Sequence, residues 1–131
     1  MEEISYLIHS LSLRKTPTIE TLGNGKQKKL CLYVDDCIYG IIYLSDKTTK
    51  TVDIFNFRNT DSINVIMITK IIIDQMNLNV KLKYTGSETG RIEDIPKTIL
   101  DIKKALNLGW KPDLSSTQTV RESARKIIEN I

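Results

Sequence analysis

The sequence predicts an α/β fold with a few short strands and about five helices, organised as a single domain over residues 1–131. Two observations carry this. Apolar residues recur at helical spacing in several separate stretches, and between them lie short alternating runs bounded by Gly, Asn and Pro. From Gln27 onward, strand-like and helix-like segments alternate, the order expected of crossover units. A chain of 131 residues is long enough to bury one core.

The elements follow in order. Glu2 to Arg14 carries Ile4, Leu7, Ile8 and Leu11 on one stripe and ends before Thr16-Pro17, because a residue preceding proline avoids the helical region. Thr18 to Leu22 alternates and is β-branched, hence a strand. Gly23-Asn24-Gly25 is a turn signal, and Gln27 to Tyr33 alternates again, so these two strands are expected to pair as a hairpin. At Val34 the period changes. Asp35-Asp36 opens a helix whose expected apolar face is Cys37, Ile38, Ile41, Ile42 and Leu44, with Gly40 allowing close approach by another element.

Thr51 to Phe57 (TVDIFNF) reads as an alternating strand with Val52, Ile54 and Asn56 on one face. The loop from Arg58 to Ser62 supplies a cap, Asp61 or Ser62. Ile63 to Met76 is apolar nearly all round and leaves strand and helix both open by period. Its length and capping loop favour a largely buried helix. Val80 to Tyr84 is a short strand. Gly90 to Pro112 reads as loop, helix, stop and loop. Pro96 suits a first turn, Ile99, Leu100, Ile102 and Leu106 form the core face, Gly109 is a left-handed cap, and Trp110 is an anchor. Ser115, Ser116 or Thr117 caps a final helix from Thr119 to Ile131. Val120, Ala124, Ile127, Ile128 and Ile131 face inward, while Arg121, Arg125 and Lys126 face water.

Composition excludes several classes. No apolar run approaches the ~20 residues of a membrane helix. The acidic opening MEEISYLIHSLSLRK lacks a signal-peptide cleavage site, so a cytoplasmic location is expected. Cys31 and Cys37 are the only cysteines and His9 the only histidine, so no metal set is expected, and both thiols read as small apolar residues of a reducing compartment. The net charge of +3 is mild and scattered, and the final helix lacks an aromatic platform, which makes nucleic acid a poor fit. Lys26, Lys28 and Lys29 suit either a solvated strand edge or a phosphate site.

Catalytic motifs are sparse. GNGKQKK leads into a strand, not a helix, and GSETG lacks a third glycine, so neither is a dinucleotide loop. Tyr43-Leu-Ser-Asp-Lys47 matches Tyr-x-x-x-Lys, but two fixed letters in five residues recur by chance. Asp35-Asp36 reads as a cap. At Arg91, Glu93 and Asp94 two readings stand side by side: a guanidinium beside orphan backbone N–H groups where a phosphate would sit, or an Asp94 cap with Arg91 in solvent.

The order of these pieces resembles the C-terminal part of the NAD-dependent epimerase/dehydratase family, the extended short-chain dehydrogenase/reductase group that includes UDP-glucose 4-epimerase. GNGKQKKLCLYVDD, TVDIFNF, DSINVIMITKII, GRIEDIP, DIKKALNLGWKP and SSTQTVRESARKII follow the family's run over essentially the whole chain. DIKKALNLGWKP is the most specific piece, and YVDD after the glycine turn is the second. The resemblance implies a small substrate-side domain with an incomplete Rossmann-type sheet. It also implies a nucleotide sugar held by Lys29 and Arg91 at the diphosphate, Asp94 near the ribose and Leu22 against the uracil.

Lys29 stands where many members carry Arg, which turns a bidentate fork into a point charge. Glu93 replaces a small Gly, and Phe57-Arg58 replaces the Gly after Asn56. The family's glycine loop and catalytic Tyr and Lys belong to a first half that this chain lacks. The expectations are therefore a substrate-binding portion that is not catalytic by itself, and no cofactor bound by this chain alone, with NAD in the complete enzyme. Partners would be a UDP-sugar and either a separate dinucleotide-binding chain or a homo-oligomer. A surface facing the other half should be unusually apolar.

Overall fold

A computed structural model of the chain describes residues 4, 5, 8, 18–21, 25–84 and 100–130. Strand β1 is Thr18–Thr21 and β2 is Lys28–Lys29. Helix α1 runs Val34–Lys47, and β3 is Ile63–Asn64, which leads directly into α2, Val65–Gln75. Strand β4 is Lys81–Tyr84, α3 is Lys103–Asn107, and α4 is Ser116–Glu129. Ile4 and Ser5 are helical, as the first stripe requires, and Ile4 and Ile8 are buried. The mixed α/β class is therefore the one expected. No helix among the described residues is long and apolar enough to cross a membrane.

The sheet pairing differs from the expected hairpin. β1 pairs in parallel with β4, with Thr18 opposite Lys81 and Thr21 opposite Tyr84. β2 pairs antiparallel with β3, with Lys28 opposite Asn64 and Lys29 opposite Ile63. The glycine turn therefore separates two sheets. Beyond it, the N–H of Val65 donates to the Gln27 carbonyl (3.1 Å) and that of Ile66 to the Gly25 carbonyl (3.0 Å). Those bonds tie the segment to the start of α2 and so compete with pairing to β1. Gly25 has φ +76°, a left-handed value that glycine adopts without strain.

Two apolar clusters form. Ile4, Ile8, Ile63, Ile68, Ile71, Ile72, Val120 and Ala124 make the larger one, where α2 packs on α4. Leu44, Ile102, Ala105 and Trp110 make the second, flanked by Leu32, Tyr43, Phe55 and Phe57. Cys31 packs on the first cluster and Leu32 on the second, so the extended chain before α1 separates them by strand alternation.

Helix α1 forms where expected but turns a different face inward. Asp36, Gly40 and Leu44 are buried, while Ile38, Ile41 and Ile42 are exposed. Trp110 sets this rotation. Its indole N–H donates to the Asp36 carbonyl at 3.2 Å, and its ring lies against the bare side of Gly40. The N–H of Leu114 donates to the Asp36 carboxylate at 3.1 Å. A flat ring needs a smooth patch, and the glycine strip supplies it.

Helix α3 is shorter than expected, and the part of the reading before Leu100 lies outside the described residues. Leu100 and Leu106 are exposed rather than core, because residues 100–102 are not helical and only Ile102, Ala105 and Trp110 reach the cluster. The helix stop is as expected. Gly109 has φ +100°, its N–H donates to the Leu106 carbonyl and that of Trp110 to the Ala105 carbonyl, which is a Schellman motif. Helix α2 is capped by the Asn64 side chain, which accepts from the Met67 N–H, rather than by Asp61 or Ser62. Helix α4 has a full capping box between Ser115 and Gln118.

Candidate functional site

The segment from Gly25 through β2, with β3, is the part of the fold that positions the residues of interest. Two ladder positions with β3 and the bonds from Val65 and Ile66 to Gln27 and Gly25 hold Lys28 and Lys29 beside the N-terminus of α2. Lys29 is half-buried there. Among the residues read from sequence as substrate-binding, Lys29 alone lies within the described residues. Leu22, Arg91 and Asp94 lie outside them.

Behind β2 lies a web of buried polar groups. The Asn59 amide donates to the carbonyls of Cys31 (2.8 Å) and Leu114 (2.7 Å), and its oxygen accepts from the Thr60 N–H (2.8 Å). The Cys31 N–H donates to the Ser116 hydroxyl oxygen at 3.1 Å, and the Ser116 N–H donates to the Asp61 carboxylate at 2.8 Å. This web fixes the chain leaving β2 against the start of α4. Asn59 is 1% exposed, and a polar loop sequence offers no sign of that.

A second group surrounds Asp53. Its carboxylate accepts from Lys104 and from the Thr48 hydroxyl (2.6 Å), and Lys104 also donates to the Ile54 carbonyl at 2.9 Å. The Lys104 and Thr48 bonds pull the Asp53 carboxyl down from 3.8 to about 2. An open cleft of about 290 Å³ lies here, with Lys47, Lys50 and Asn107 on its rim. Its one carboxylate is already engaged by Lys104 and Thr48, so the cluster acts as a clasp that joins α3 to the segment after α1.

The Tyr-x-x-x-Lys match has a structural use. The Tyr43 hydroxyl donates to the Leu108 carbonyl at 3.0 Å, and the Lys47 ammonium sits 5.3 Å from the Tyr43 ring centre. Near α4, Lys126 donates to the Tyr33 hydroxyl, which holds its ammonium above the ordinary range. Among the described residues, no group of three or more His, Cys, Asp or Glu could hold a metal ion.

No family model matches the chain, and no curated protein matches it in sequence. Solved structures do match it in fold. A UDP-galactose 4-epimerase aligns over 98% of this chain at 21% identity and a TM-score of 0.74. The chain has the fold of part of a UDP-sugar epimerase. MoeE5 in complex with UDP-glucuronic acid and NAD aligns over 98% at 17% identity and a TM-score of 0.75. The UDP-N-acetylglucosamine 4-epimerase from Methanobrevibacter ruminantium M1, in complex with UDP-N-acetylmuramic acid, aligns over 98% at 22% identity and a TM-score of 0.72. The chain spans 40%, 42% and 39% of those three structures, respectively. One cofactor expectation is overturned here. The MoeE5 structure, of which this chain spans 42%, is in complex with NAD.

Proposed function

We propose that residues 1–131 form the nucleotide-sugar-binding portion of a UDP-glucose 4-epimerase-like protein, and that this chain does not turn the sugar over by itself. The observation that carries the reading is the fold match over 98% of the chain to structures of UDP-sugar 4-epimerases. In this reading Lys29, on the clamped strand β2, and Arg91 hold the diphosphate, Asp94 lies near the ribose, and Leu22 lies against the uracil. Lys29 supplies a compact positive charge rather than a planar fork, so the grip on the diphosphate is weaker and less directional than an arginine would give.

Calorimetric titration with UDP-glucose tests this. Binding is expected for the wild-type chain, reduced about tenfold or more in Lys29→Ala and Arg91→Ala, with no UDP-galactose formed by the chain alone. Absence of heat at millimolar nucleotide sugar, or binding unaffected by both changes, would contradict it.

A further inference from the structure

The loop that leaves α1 is pinned into one shape. The Thr48 hydroxyl donates to the Asp53 carboxylate (2.6 Å) and accepts from the Lys50 N–H (3.3 Å). The same carboxylate accepts from the Ile54 N–H (2.9 Å). Lys104 reaches across from α3 to that carboxylate and to the Ile54 carbonyl. A loop held in this way presents its remaining side chains with little left to order on binding.

The charges around the open cleft of about 290 Å³ do not balance. Three ammonium-bearing residues line it, Lys47, Lys50 and Lys104, against the single carboxylate of Asp53. Asp53 is matched to Lys104. Lys47 and Lys50 make no ion pair among the described residues. The Tyr43 ring, with its centre 5.3 Å from the Lys47 ammonium, places that charge without neutralising it. Asp46, the acidic neighbour of Lys47 in sequence, is not on the cleft wall. The cleft therefore keeps two uncompensated positive charges. A concavity lined by one sign of charge focuses the field and concentrates the opposite ion.

We propose that the cleft between residues 47–50 and α3 binds a terminal, dianionic phosphate group, as inorganic phosphate or as a phosphate monoester. Lys47 and Lys50 supply the two charges that a dianion matches, as compact point charges. Lys104 offers a further donor shared with Asp53, and Thr49 and Asn107 bring side chains that can donate to the remaining oxygens. The volume lies at the foot of the ~300–1,000 Å³ range of small-molecule pockets. That suits a phosphate group with any ester substituent left in solvent. A nucleotide sugar carries an ester at each end of its diphosphate and offers no such terminus, so the proposal is independent of the residues assigned above to a UDP-sugar.

The test is an amide chemical-shift titration of the chain with inorganic phosphate, with ionic strength held constant by chloride. Saturable shifts are expected at Thr49, Lys50 and Asn107, with a Kd of about 1 mM or tighter. Glucose 6-phosphate, a monoester, should move the same amides, whereas dimethyl phosphate, a monoanion, should bind about tenfold more weakly. A response to inorganic phosphate alone assigns the site to the free anion, and a response to both assigns it to monoesters; either supports the proposal. Lys47→Gln and Lys50→Gln should each weaken phosphate about three- to tenfold while leaving the spectrum outside the cleft unchanged. Lys103→Gln, beside Lys104 but off the cleft wall, should leave the affinity as it is. Shifts that never saturate, equal binding of dimethyl phosphate, or an affinity untouched by both cleft variants would overturn the proposal.

Discussion

Gly40 decides how the second core is built. A Cβ there would come within 2.6 Å of Phe57 Cε1 and 2.7 Å of Trp110 Nε1, both in rings that stack edge to face with centres 4.9 Å apart. Rigid aromatics held against each other cannot yield cheaply. Gly40→Ala is therefore expected to destabilise the chain by about 1–3 kcal/mol despite its better helix propensity, read by urea unfolding. Trp110→Ala should cost more, about 3–5 kcal/mol, because it empties the cluster and removes the indole bond to the Asp36 carbonyl. Asp53 sets a pH dependence. Its carboxyl is at about 2 in the fold against 3.8 ordinarily, so it stabilises above the higher value and that contribution is lost as pH falls from about 4 toward 2. The gap in melting temperature between wild type and Asp53→Asn should be constant above pH ~5 and shrink below pH ~4. A gap that stays constant down to pH ~2 would show that the clasp is not ionic.

At the scale of elements, helices announced themselves through caps and stops. Ser115 with Gln118, and Gly109 before Trp110, are local chemistry readable in a few residues, and both formed. Ser115→Ala should cost about 1 kcal/mol, with the loss confined to α4 in hydrogen exchange. The inward face of α1 was not readable in that way. Hydrophobicity alone turns Ile38, Ile41 and Ile42 inward, and what reverses this is an indole supplied 70 residues later. Strand pairing failed for the same reason. Glycines after β1 suggest a hairpin, but β4 is far off in sequence, and its parallel register with β1 is a tertiary fact. Asn59 looked like loop and is a buried crosslink, because its partners Cys31 and Leu114 are distant along the chain. Of the proposed binding residues, Lys29 is the one whose setting on β2 is described.

For the molecule as a whole, two clusters share one extended segment, with Lys29 on β2 and exposed apolar residues on α1 and at Val52 and Ile54. The claim that this chain holds a nucleotide sugar is tested most directly by mapping where UDP-glucose touches it. In amide chemical-shift mapping, titration should move Lys28, Lys29, Asn64 and residues 91–94 and leave Asp53 and Lys104 in place. Shifts confined to the Asp53–Lys104 cleft, or none at saturating nucleotide, would contradict it.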